Sequence, residues 1–128
     1  MVMEEPAEEV LRFITDRIDT VPELEALLLF WEQRPTALTV KQLASRLYVP
    51  RGIGAAVIRS LERRKFITSI AGSSQHAYNS AWEPDGEFMA QVAETYRRHL
   101  IRVTRLIHSK PSTAVLEFAR AFEPKKDS

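Results

Sequence analysis

Apolar side chains recur along most of the chain at steps of three and four, the spacing that gathers them on one side of an α-helix. Val10, Phe13, Ile14 and Ile18 form the first series. Glu4, Glu5 and Pro6 stand at its start, where carboxylates complement the positive end of the helix dipole, and the series is expected to end near Asp19. Leu24, Leu27, Leu28 and Trp31 form the second. Thr20-Val21-Pro22-Glu23 opens that helix as a capping box with proline in the first turn, and Arg34-Pro35-Thr36 closes it, because proline disfavours helix at the residue before it and has no N–H to donate.

A second capping box, Thr39-Val40-Lys41-Gln42, starts a short helix with Val40, Leu43, Ala44 and Leu47 as its apolar stripe. Tyr48-Val49-Pro50 interrupts it, and a new helix runs from Pro50 or Arg51 to about Lys65 with Ile53 or Gly54, Val57, Ile58 and Leu61 inward. The pattern then changes. Phe66 to Ala71 is rich in β-branched residues, Gly72-Ser73-Ser74 is a turn, and Gln75 to Asn79 supplies a return strand, which together read as a β-hairpin. Ala81 to Asp85 is a connector with Asp85 as N-cap. From Gly86 to about His108 a single long helix is expected, with Met89, Val92, Tyr96, Leu100, Val103 and Ile107 on a nearly heptad stripe. Lys110-Pro111-Ser112 breaks it before a last short helix carrying Val115, Phe118, Ala119 and Phe122.

Charge changes this picture from a list of helices to one with a polarised surface. The chain of 128 residues has a formal net charge of only +1, which excludes a uniformly polycationic binder. The total hides a division: the segment Met1 to Arg34 is net −6, Pro35 to Trp82 is net +6 with Glu62 as its single acid, and the remainder is nearly balanced. There is no cysteine, so disulfides, thiolate chemistry and cysteine metal sites are excluded. No metal site or other cofactor is expected from His76, His99 and His108, whose spacing is not that of a zinc site. No phosphate-cradling glycine loop or nucleophile elbow is present, so the chain reads as a non-enzyme. The longest apolar run, Ala26 to Trp31, is too short for a membrane span, and the acidic N-terminus does not resemble a signal peptide; a single soluble cytoplasmic domain is expected.

The order helix, helix, short turn, helix, hairpin, long helix resembles a winged helix-turn-helix domain, and as a whole it is similar to the MarR-like regulators. The resemblance rests on Thr39 to Leu47 as the first helix of the motif, Pro50 to Lys65 as the second, and the run Leu61 to Ile67 leading into a wing. The fold class it implies is mainly α with a small β-hairpin: a winged core over 20–80, an extra N-terminal helix over 6–19 and C-terminal dimerisation helices over 85–123. It implies a transcriptional regulator in which the helix Pro50 to Lys65 enters the major groove of duplex DNA, with Arg51, Arg59, Arg63 and Arg64 as contacts supported by Lys41 and Arg46. A continuous helix of about 23 residues would be roughly 34 Å long, more than a small domain covers. Met89, Val92, Tyr96, Leu100, Val103 and Ile107, with Phe118 and Phe122, are therefore expected to form a homodimer interface.

Two further readings follow from particular residues. Between its arginines the second helix turns outward only Gly52, Ala55 and Ala56, and the wing from Gly72 to His76 holds no Lys or Arg. A winged-helix module that binds another protein through this flat face, with little or no DNA binding, is the alternative. Trp31, Trp82 and Tyr96 are candidates to line a ligand cavity, or plain core.

Overall fold

The computed structural model describes residues 5–83 and 86–110. Its elements are α1 (Glu8–Arg17), α2 (Val21–Gln33), β1 (Leu38–Thr39), α3 (Val40–Leu47), α4 (Arg51–Arg63), β2 (Ile67–Ser69), β3 (Gln75–Tyr78), α5 (Glu87–Arg98) and α6 (Leu100–His108). The strands form one antiparallel sheet in the order β1-β3-β2, with Leu38 opposite His76 on one side of β3 and Ile67 opposite Tyr78 on the other. Two helices, a turn between them and a hairpin closed by a third strand make this a winged helix-turn-helix fold.

The core lies around α2. Leu24, Ala26, Leu27, Leu28 and Phe30 are all buried, and a helix apolar on most of its circumference belongs in the middle of a domain. It contacts α3, α4 and β3 of the motif as well as α5 and α6. A second cluster joins the other elements: Phe13 of α1 lies 5.7 Å from Phe66, 5.8 Å from Trp82 in a stacked arrangement and 5.2 Å from Phe88. Trp82 thus packs between α1 and the base of the hairpin, against Phe13, Phe66 and Tyr78.

The two expected capping boxes differ in their chemistry. At α3 the box is complete: the Gln42 N–H donates to Thr39 Oγ1 at 3.1 Å and the Thr39 N–H donates to Gln42 Oε1 at 2.9 Å. Such a cap contributes about 1 kcal/mol. At α2 Thr20 Oγ1 accepts from the Glu23 N–H, but the Glu23 carboxylate reaches one residue further back and accepts from the Asp19 N–H at 3.4 Å. Glu23 is buried as a result.

Burial raises the pKa of Glu23 above the usual carboxylate value, opposed by the Asp19 N–H and by Arg64. A carboxyl group easier to protonate in the folded chain stabilises the fold below its unfolded titration range, and that contribution is lost as the pH rises through the raised value. The thermal midpoint of the native chain is therefore expected to gain on that of Glu23→Gln as the pH is lowered from 7 towards 4.5; calorimetry that found the gap constant or shrinking would contradict this.

The long helix expected over Gly86 to His108 is interrupted. His99 has φ −126° and ψ 45°, outside the helical region, and the chain continues as a separate helix. No proline or glycine causes the break. It allows α6 to pack on α1, α2 and α5, bringing Val103 and Ile107 into the core. The start of α5 also differs from expectation. Its N-cap is Gly86, at φ 73°, and the N–H groups of Phe88 and Met89 donate to the Glu83 carboxylate at 2.9 and 3.3 Å. Asp85, Val115, Phe118 and Phe122 lie outside the described residues.

Candidate nucleic-acid interface

The motif is assembled by one close crossing. A Cβ built on Gly54 would lie 3.0 Å from Ala44 Cβ and 3.5 Å from the Val40 carbonyl oxygen, so only a bare α-carbon lets α4 rest on α3 at this height. The turn between them is a Schellman-type end: the Val49 N–H donates to the Ala44 carbonyl at 3.1 Å, and Tyr48 takes the left-handed conformation at φ 58°. With Gly54, Val57, Ile58, Ser60 and Leu61 buried, α4 is fixed in rotation, and Ile53 is left partly exposed.

That rotation decides what α4 presents. At 100° per residue, Gly52, Ala56, Arg59 and Arg63 fall within about 60° of one another on the side away from the core, and all four are exposed. Arg51 flanks this strip at the first turn. Lys41 and Arg46 are exposed on α3. The side chains of Lys41, Arg46, Arg51, Arg59 and Arg63 make no hydrogen bond or ion pair among the described residues. The arrangement is a set of solvated cations around a helix face whose centre is nearly bare, which suits contact with a string of phosphates.

Arg64 does not belong to this set. Its side chain is only 21% exposed, and Nη2 pairs with Asp19 Oδ2 at 2.7 Å at the corner between α1 and α2. Lys110 Nζ approaches the same carboxylate at 3.8 Å and donates to the carbonyls of Ile14 and Ile18 at the end of α1. Arg64 thus anchors the end of α4 to the helical layer. The basic run in the sequence gave no sign of this, because its partner lies 45 residues away.

The wing meets α4 through Phe66 and Ile67, both buried. Its base is closed by Asn79, whose N–H donates to the Phe66 carbonyl and whose Nδ2 donates to that of Lys65 at 2.8 Å. The tip is exposed and uncharged.

The stripe expected to pair two copies is mostly used within one chain. Met89, Val92, Val103 and Ile107 are buried against the chain's own helices. Tyr96 is half-buried and donates from its hydroxyl to Glu25 Oε2 at 3.0 Å; burial, and then Glu25, push this hydroxyl up to about 12. Among the described residues of the expected interface Leu100 is the one that stands exposed, at 51%, with Ile101 beside it at 67%, a residue the stripe did not include. A groove of about 990 Å³ between α2, the end of α3 and α5 is lined by Trp31, Leu47, Tyr48, Tyr96 and Leu100, among others, so two of the three aromatic candidates for a cavity meet there.

Fold and surface together define a winged helix-turn-helix domain with a basic motif face. No family model matches the chain, and no curated protein matches its sequence. Among solved structures, the chain is similar to the adhesin competence repressor of Streptococcus pyogenes, at 19% identity, with 88% of this chain and 83% of that chain covered and a TM-score of 0.49. Among the described residues no helix is long and apolar enough to cross a membrane.

Proposed function

We propose that the chain is a MarR-like transcriptional regulator of the cytoplasm that binds duplex DNA as a homodimer, with the helix Pro50 to Lys65 in the major groove. The observation that carries this reading is the position of five exposed cations, Lys41, Arg46, Arg51, Arg59 and Arg63, on the two helices of one motif, their side chains without partners among the described residues. Phosphate contacts supply most of the affinity, since the centre of the α4 face offers Gly52 and Ala56, which have no hydrogen-bonding side chain for a base edge. The exposed pair Leu100 and Ile101 supports self-association through the start of α6 in place of the buried stripe.

The test is a titration of a labelled mixed-sequence duplex of about 30 base pairs followed by anisotropy, at low and near-physiological salt. Micromolar binding that weakens steeply with salt is the expected result. Absence of binding at low salt overturns the reading and leaves the bare face of Gly52, Ala55 and Ala56 as a surface for a protein partner.

A further inference from the structure

Glu62 is the single acid between Pro35 and Trp82. It stands in the last turn of α4, between Arg59 and Arg63 in sequence and at the edge of their strip. A carboxylate there opposes the approach of a polyanion. The structure shows what it does instead. Its Oε2 accepts a hydrogen bond from Ser69 Oγ at the end of β2, and His76 Nδ1 of β3 lies 3.8 Å from the same oxygen. Ser69 and His76 are partners across the hairpin ladder, so one carboxylate meets both strands at a single rung.

At this rung β3 is held on its other side by β1, where the buried Leu38 lies opposite His76, whereas β2 is an edge strand paired with β3 alone. Ile67 and Tyr78 are buried, whereas Thr68 and Ser69 and the turn from Ile70 to Ser74 are exposed. We infer that Glu62 is a positioning residue, which fixes the direction of the wing relative to the recognition helix so that both meet the duplex together. The inference rests on the DNA-binding reading above. It also accounts for an acid in an otherwise basic segment.

Charge alone and this role predict opposite signs for Glu62→Ala. Removing a negative charge from the motif face tightens DNA binding if the carboxylate only repels; if it holds the wing, binding weakens by about fivefold, the equivalent of one lost hydrogen bond. Ser69→Ala breaks the same link with no change of charge and is expected to weaken binding similarly, the double variant being no worse than either single one. Glu62→Gln keeps an acceptor for Ser69 and restores native or tighter binding. Amide exchange at Ile70, whose N–H donates to the Gln75 carbonyl near the wing tip, reads the wing without DNA and is expected to quicken in Glu62→Ala. Tighter or unchanged binding by Glu62→Ala, beside normal binding by the native chain, overturns the inference and leaves the DNA reading standing. If the native chain binds no duplex, the DNA reading and the wing's part in it fall together, and Ile70 exchange still decides whether Glu62 holds the wing: an equal rate in both proteins removes that role too.

Discussion

Replacing Arg59 and Arg63 together by alanine is expected to weaken duplex binding at least about 100-fold at near-physiological salt, and to lower the slope of log affinity against log salt by about 2. Both side chains are exposed, neither has an ion-pair partner among the described residues, and both project from the side of α4 opposite Val57, Ile58 and Leu61. Each cation that neutralises a phosphate releases about one counterion, so two losses must appear in the salt dependence as well as in the affinity. Because no described residue pairs with either guanidinium, the thermal midpoint should stay within about 2 °C of the native one, as surface substitutions ordinarily do. Unchanged affinity and slope would show that the basic face of α4 is not where DNA is held. Arg64→Ala supplies the contrast. That change removes the nearer of the two cations on Asp19, so its cost should appear mainly in stability.

Gly54→Val is expected to lower stability by about 2–3 kcal/mol, a fall of roughly 10 °C in the thermal midpoint. On helix propensity alone, replacing an interior glycine is favourable. Here the added Cβ meets Ala44 Cβ at 3.0 Å, and both atoms belong to helices anchored in the same core through Leu43, Val57, Ile58 and Leu61, so α3 and α4 must move apart or tilt. On the proposed reading DNA affinity should fall with stability, since the angle of α4 is set at this contact. Gly52→Val is the control in the same helix. Nothing lies within 4 Å of a Cβ there, and calorimetry should find its midpoint nearly unchanged. If both variants melted alike, the close crossing would not be what holds the motif together.

These two glycines illustrate what the sequence could and could not show. Helical spacing placed Val57, Ile58 and Leu61 inward and Arg59 and Arg63 outward, but it left the inward position between Ile53 and Gly54 open. The choice fell to Gly54 because the crossing with Ala44 has no room for a side chain, a fact about α3 that no periodicity within α4 contains. The Thr39 and Gln42 cap was legible because both of its hydrogen bonds are local. β1 was not, since two residues cannot display an alternation, and its pairing with β3 is decided some 37 residues further on. The stripe from Met89 to Ile107 signalled an apolar helix face but not what covers it, and Met89, Val92, Val103 and Ile107 are buried within the chain itself. A nearly heptad spacing is the same whether a second copy or α1 and α2 cover it, and the interruption at His99 has no proline or glycine to announce it. The roles of Arg64 and Glu62 were hidden in the same way: the composition of a basic segment counts charges without showing which of them are spent inside the molecule.

The carboxylate of Asp19 receives Arg64 from the end of α4 and Lys110 from beyond the end of α6, while Lys110 also closes the last carbonyls of α1. Three helix ends therefore meet at one joint. Helix α4 is thus held in two places, at this joint and at the close crossing of Gly54 with Ala44, three residues from its N-terminal end. A small displacement of α6 applied at the joint would tilt α4 about that crossing as a fulcrum, and would move Arg59 and Arg63, on the long arm, more than Arg51 on the short one.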